Sequence, residues 1–384
     1  MEALLFYLAI ATLGFFVAFG IDLMAGNRSI RFLKDIPSLG TPPSLSVSII
    51  VAARNEERNI REALQSVLNQ DYERTEVFVI DDRSTDGTGA ILDSMAQANS
   101  RLRVVHVTDL PPGWLGKNHA LYNGAKQATG DLLLFTDADV VMHPSTVRKA
   151  VGYLVANQLD HLTITPEVRM PGVLMEMFVG AFTIFFSLYA RPWKAKDPKS
   201  KRFIGIGGFN LVRKGVYRAV GTHQAIAMRP DDDMKLGKLI KLGGYRQEVL
   251  FGRDMLKVEW YPSVRDMIDG LMKNVFAGMN YSVLAIVASS VAQLLLNVWP
   301  FLGLFLTHGV TRILNAVIVL LILFICWDSA RFHNSRGWYG VGFPISTLLS
   351  VYILWRSMLL TFMNNGIRWR GTHYPLAELR ANKV

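Results

Sequence analysis

Short apolar runs that end in acidic residues recur through the middle of this chain. Residues 46–53 are apolar and stop at Arg54-Asn55-Glu56-Glu57. A helical period follows through Ile60, Leu64, Val67 and Leu68. Residues 76–80 form a second run, ending at Asp81-Asp82, and the turn 84–87 leads into another helix. Residues 102–107 and 131–135 are a third and a fourth run, the last ending at Asp137. Apolar strands alternating with helices predict an α/β domain: a parallel sheet with helices on both faces. Such sheets bind ligands at the carboxyl ends of their strands, where the polar clusters stand.

The flanking pattern differs. Residues 3–21 are uncharged and long enough to span a bilayer, and they lack the basic start and small-residue cleavage site of a signal peptide. They are expected to be a retained anchor. Arg28, Arg31 and Lys34 follow, which puts the middle domain in the cytoplasm by the positive-inside rule. Three more long apolar runs, 281–306, 313–327 and 341–362, come late; the second is short and the third carries Arg356. The expected organisation is an anchor over 1–25, a linker over 26–44 containing Pro37, Pro42 and Pro43, and a catalytic domain over 45–260. An amphipathic interfacial helix over 261–280, a membrane region of about three transmembrane helices over 281–363 and a basic tail over 364–384 complete it. The apolar stretch 173–193, with Glu176 inside it, is expected to lie in the interface. A multi-pass protein of the cell (inner) membrane is expected. One span before the domain and three after it would leave the tail outside, yet Arg368, Arg370, Arg380 and Lys383 mark the tail as cytoplasmic. Either one late run is re-entrant or interfacial, or the rule is broken.

Composition narrows the chemistry. The 384 residues are 51% hydrophobic and carry a formal net charge of +10. With no nucleic-acid module in view, that charge is assigned to anionic lipid and not to nucleic acid. Cys326 is the single cysteine, so disulfides and cysteine metal sites are excluded.

Against a basic background, grouped carboxylates stand out. Asn55 and Glu57 end the first strand, and Asp81 and Asp82 the second. These can accept hydrogen bonds from a base or a ribose, although Glu56 and Glu57 would also suit a helix's first turn. Gly113-Trp-Leu-Gly-Lys117 is a glycine-bearing loop with a cation at the mouth of a helix, suited to a phosphate. Asp137-Ala-Asp139 delivers two carboxylates from a buried strand, which is costly unless they coordinate something. Mg2+ or Mn2+ against a diphosphate fits hard oxygen ligands. Asp231-Asp232-Asp233 opens a further helix; neighbouring carboxylates raise one another's proton affinity, which tunes a general base.

Residues 51–57, the 79–88 run, Gly116-Lys117, Thr136-Asp-Ala-Asp139 and Asp232-Asp233 resemble, in order and rough spacing, the family 2 glycosyltransferases with their GT-A fold. The match covers about residues 45–250. Trp114-Leu-Gly-Lys117 and the late apolar runs are similar to the membrane-bound, lipid-glycosylating branch, such as hopanoid-associated and carotenoid glycosyltransferases. The resemblance implies that Asp81 or Asp82 holds the nucleotide, with Asn55 and Glu57 nearby, and that Asp139 supported by Asp137 binds the metal. Leu236-Gly237 aligns Asp232-Asp233 with the family's Glu-Asp pair and makes Asp233 the base. Gly208 and Asn210 fall in the segment lining the acceptor side. Asp232 stands where the family usually has Glu. Asn365-Gly-Ile-Arg368-Trp369 is only a near variant of the processive synthases' Gln-x-x-Arg-Trp motif and follows the last apolar run. The expected activity is inverting, metal-dependent transfer from a nucleotide sugar, a UDP-sugar ahead of a GDP-sugar, to a membrane lipid. A processive polysaccharide synthase and a non-catalytic nucleotide-sugar-binding protein are the alternatives.

Overall fold

The computed structural model describes residues 2–37 and 44–384; Pro42 and Pro43 of the expected linker lie outside the described residues. In chain order the elements are α1 (Glu2–Ser29), β1 (Val47–Ala53), α2 (Ile60–Leu68), β2 (Thr75–Asp82), α3 (Thr88–Ala98), β3 (Leu102–Val107), α4 (Gly116–Gln127), β4 (Leu132–Asp137), β5 (Val140–Met142) and α5 (Thr146–Ala156). Then come β6 (His161–Thr165), β7 (Glu167–Arg169), α6 (Val173–Ala190), β8 (Asn210–Arg213), α7 (Lys214–Ala219), α8 (Asp232–Leu242), β9 (Gln247–Phe251) and β10 (Leu256–Glu259). The last group is α9 (Val264–Gly278), α10 (Val283–Gln293), α11 (Trp299–Leu306), α12 (Gly309–Ala330), α13 (Phe343–Met363), β11 (Gly366–Trp369), β12 (Thr372–Pro375) and α14 (Leu376–Ala381).

Two units divide the chain. One comprises residues 30–168, 192–259 and 377–384. Its main sheet has the order β3-β2-β1-β4-β8-β6-β9. Strands β3, β2, β1 and β4 are parallel, as the apolar runs predict, but β8 runs antiparallel to both β4 and β6. The sheet is therefore mixed. The cause is the connection: β8 is reached through α6 and an irregular return, not through a crossover helix that would restore the strand direction. Both faces are covered. Ile49, Val51, Val79 and Leu134 pack with Ile60, Leu64, Leu92 and Val147, while Ile50, Phe78, Ile80 and Phe135 pack with Leu121, Leu236 and Ile240. Burial on both sides is why these strands read as unbroken apolar runs.

Residues 26–36, expected as part of a linker, are ordered into helix and core instead. α1 continues to Ser29, and residues 30–36 are tied into this unit. Leu33 is fully buried, Arg31 O accepts from Phe251 N at 2.9 Å, and Lys149 Nζ donates to Lys34 O and Ile36 O. Phe32, Leu33 and Ile36 are apolar, and burying them outweighs a free connection.

The other unit comprises residues 1–29, 169–191 and 260–376. Among the described residues, five helices are long and apolar enough to cross a membrane: Glu2–Ser29, Val173–Lys194, Val283–Leu306, Gly309–Ala330 and Gly337–Met363. The run that looked short in sequence is extended at both ends, so α12 has 22 residues. α10 and α11 are joined by a π-helical turn, Leu294–Val298. α1 packs on α12: Arg28 forks onto Asp328 at 2.7 and 3.0 Å, and a Cβ on Gly20 would meet Ile325 Cδ1 at 2.9 Å. The mid-helix Arg356 of α13 pairs with Asp269 of α9 at 2.6 Å, and Ser357 Oγ donates to Met272 O beside it. Trp369 of the β11–β12 hairpin lies under Lys273 Nζ, 4.4 Å from its ring centre.

Candidate active site

In the first unit the end of β4 and the starts of α4 and α8 bring together Asp137, Lys117, Asp232 and Asp233. The antiparallel β8 matters here. Phe135 of β4 pairs with Asn210, so the loop that enters β8 runs past the carboxyl end of β4. Thr136 Oγ1 fastens that loop by donating to Gly208 O at 2.8 Å. Gly207 then stands against Asp137, where a Cβ would be 2.7 Å from Asp137 Oδ2, and its N–H donates to Asp233 Oδ2 at 2.8 Å. A small polar cavity results, lined by Lys117, Asp137, Gly207, Asn210, His223, Asp232 and Asp233 among others.

Lys117 is its central cation. It stands one residue into α4, and its Nζ lies 2.8 Å from Asp137 Oδ1 and 3.6 Å from Asp232 Oδ2. Burial pulls this ammonium down, but Asp137, Asp232 and Asp233 outweigh it and hold it above the usual lysine range. Burial first, and then Asp232, push the Asp233 carboxyl up to about 7. Asp231 is set apart from its neighbours: Arg229 forks onto it at 2.9 and 3.1 Å, and Lys235 lies 3.6 Å away. Neutralisation of Asp231 leaves Asp232 and Asp233 as the pair that faces Lys117.

His223 was not foreseen from sequence, and a lone histidine in a loop carries no periodic signal. Tyr217 Oη accepts from His223 N at 3.1 Å and lies 2.8 Å from Nδ1. Burial and then Lys117 hold this imidazole neutral, down to about 3.

At the end of β2 the two neighbouring aspartates differ. Asp82 is covered by Arg83, whose Nε and Nη2 donate at 2.8 and 3.0 Å, with Arg54 at 3.6 Å. Asp81 Oδ2 lies 2.9 Å from His106 Nδ1, while its Oδ1 is buried without a hydrogen-bond partner. Asn55 and Glu57 are spent locally. Asn55 Oδ1 accepts from Thr85 N at 2.8 Å and Glu57 Oε2 from Gly87 N at 2.7 Å, so both lace the first strand-end loop to the second. Gly208 packs toward Pro166 and Val140, and Asn210 bonds to buried His161 while lining the cavity.

The fit of a divalent cation rests on Asp139. Burial, then Asp137 and Glu56, raise its carboxyl to about 7. Crowded hard-oxygen donors are what such a cation relieves. Among the described residues no three His, Cys, Asp or Glu groups are placed to hold a metal by themselves. Two carboxylates completed by diphosphate oxygens and water is the arrangement Mg2+ commonly takes.

The sequence profile described as "Glycosyl transferase family 2" matches residues 48–221. A 4,4'-diaponeurosporenoate glycosyltransferase of Staphylococcus aureus (strain USA300) is 24% identical over 341 residues, covering 87% of this chain and 89% of that protein. The same enzyme of strain MRSA252 is 23% identical over the same length. Among solved structures, a mannosyltransferase from Pyrobaculum calidifontis in complex with GDP-Man and Mn2+ superposes with a TM-score of 0.54 at 18% identity, covering 92% of this chain and 99% of its own. Strand-end motifs, mixed sheet and profile match converge on residues 48–221, a stretch similar to the family 2 glycosyltransferases and built on the GT-A fold.

Proposed function

We propose that the protein transfers a sugar, with inversion, from a nucleotide-sugar donor to a hydroxyl of a membrane lipid. The observation that carries this is the convergence of Lys117, Asp137, Asp232 and Asp233 on one cavity, with Asp231 neutralised outside it. Asp233, held by Gly207 N–H, accepts the proton of the acceptor hydroxyl. The acceptor oxygen bonds to the anomeric carbon from the face opposite the nucleotide, and the carbon–oxygen bond to the diphosphate breaks. Lys117 supplies N–H donors to the departing diphosphate. Asp139 and Asp137 would hold Mg2+ or Mn2+, which offsets charge on the leaving group when bound. Asp81 Oδ1, a buried acceptor without a partner, suits an N–H of the donor's base, and a UDP-sugar is the expected donor.

A lipid acceptor is supported by the apolar helices and by the relative whose name specifies 4,4'-diaponeurosporenoate. Chain parity supports a specific topology. Segments before and after α6 belong to one unit, which supports reading α6 as an interfacial helix. Residues 377–384 belong to that unit too, so the chain between 259 and 377 crosses an even number of times. The Arg28–Asp328 ion pair, which joins the C-terminal ends of α1 and α12, supports a shared side for those two ends. On this reading α10–α11 crosses, α12 returns, α13 lies in the interface, and residues 377–384 share one side with residues 30–168 and 192–259. By the arginines and lysine that follow α1, that side is the cytoplasm.

The test is a screen of UDP- and GDP-sugars with membrane lipid extract, with and without Mn2+, read by mass spectrometry. A gain of one hexose on a lipid, lost in Asp233→Asn while donor binding persists, is the expected result. Unimpaired transfer by D233N would sink the assignment of the base, and a ladder of gains would replace it with a processive synthase.

A further inference from the structure

The stretch that delivers the acidic pair has little regular structure of its own. Between α7 and α8 the backbone makes one 3-10 turn, His223–Ile226, and then runs irregularly to Asp231. Its amide groups must find partners elsewhere. One set comes from the loop that carries Lys117. Leu115 N donates to Ala227 O at 2.9 Å, and Asn118 Nδ2 lies 2.8, 3.1 and 2.9 Å from the carbonyl oxygens of Ile226, Ala227 and Arg229.

The other set comes from far along the chain. Asn382 Oδ1 accepts from Met228 N at 3.0 Å, and Asn382 Nδ2 donates to Ala225 O at 3.0 Å. One side-chain amide thus bonds to both ends of the 225–228 stretch. Leu379, fully buried, anchors the segment that carries it, and Lys238 of α8 donates to Val384 O at 2.8 Å. None of these groups enters the chemistry described above. Yet Met228 precedes Asp231 by a few residues, and the turn is gripped on its other side by the neighbours of Lys117.

We propose that Asn382 is a positioning residue for the reaction. Residues 377–384 hold the turn 225–228 against α4, and that contact sets the spacing between Lys117 and the Asp232–Asp233 pair. This rests on the reading of Asp233 as base. The segment continues directly from the β11–β12 hairpin of the membrane unit, so the arrangement of the acidic pair depends on chain that lies beyond the last membrane helix.

The experiment uses the full chain in lipid nanodiscs. Asn382→Ala removes both hydrogen bonds, and Asn382→Leu removes them while keeping bulk. Both are expected to lower kcat on the order of tenfold, because small misplacement of reacting groups is costly, with the donor KM within about twofold. Amides of residues 225–231 should exchange faster with deuterium in both variants, while those of the β1–β4 sheet stay protected. D233N is run beside them. Wild-type kcat in N382A and N382L with a dead D233N overturns the positioning role and leaves the base assignment standing. Recovery of kcat in N382L alone also overturns it, because bulk and not hydrogen bonding would then be the cause. Activity in D233N overturns the underlying reading instead.

Discussion

Gly237 and Ile204 meet backbone to backbone: a Cβ on Gly237 would stand 2.0 Å from the carbonyl oxygen of Ile204. One helical turn earlier the relation repeats, with Gly205 so close to Asp233 O that no side chain fits between them. These two contacts let the 204–209 segment run along α8 and bring Gly207 N–H to Asp233. Gly237→Ala is therefore expected to push the 204–209 segment away, costing about 1–3 kcal/mol and more if the backbones cannot part. A lowered Tm together with a fall in kcat larger than the loss of folded protein checks it.

Lys117 should be indispensable in a different way. Lys117→Met keeps much of the side chain's length and apolar stem but leaves Asp137, Asp232 and Asp233 without their shared cation. Turnover should fall on the order of 10²–10³-fold. Donor affinity should weaken as well, measurable by calorimetry with the nucleotide diphosphate. Equal turnover in wild type and variant would remove Lys117 from the reaction.

The pH dependence follows from Asp233. A base raised to about 7 by burial and by Asp232 must lose its proton to work, so kcat should rise as pH increases through about 7 and level off above. Steady-state turnover from pH 5.5 to 9 checks this. A flat profile below 7 would contradict the carboxyl's placement.

Acid stability should depend on His161. This ring is fully buried against Asn210, and burial lowers it to about 4. The unfolded chain takes up that proton near pH 6.5 and the folded one does not, so stability falls as pH drops from about 6.5 to about 4. The contribution is about 3 kcal/mol at 1.36 kcal/mol per unit. Asp233 acts in the opposite sense over pH 4 to 7. The clean measurement is thus the difference between wild type and His161→Gln: the variant's melting temperature should gain on that of wild type as pH falls from 7 to 5.

Much of this was legible in the chain because β1, β2 and β4 are covered on both faces and end in acid. The antiparallel β8 was not. It has four residues, and its direction is set by the route through α6, which no local pattern records. Choosing between Asp81 and Asp82 needed tertiary partners: Arg83 folds back on one, and His106 comes from β3 to the other. Asn55 and Glu57 read as ligand-facing because strand ends often are, but the second loop had its own unpaired amides for them to serve. Gly237 was visible only as a register mark; its reason, the carbonyl of Ile204, is tertiary.

Topology is open to labelling. In a Cys326→Ser background, a cysteine at His308 should react with an impermeant maleimide from outside intact cells. Cysteines at Arg336 and Arg370 should react only after the membrane is opened. Labelling of Arg370→Cys from outside would make α13 a crossing.

The interleaving of the two units bears on synthesis. α6 and the late membrane helices are written between pieces of the catalytic unit, and its final piece, residues 377–384, is translated after every membrane helix. No N-terminal fragment contains the whole catalytic unit, and none that reaches β8 omits the apolar α6. The catalytic unit therefore receives residues 377–384, and with them Asn382, only after α13 has been made.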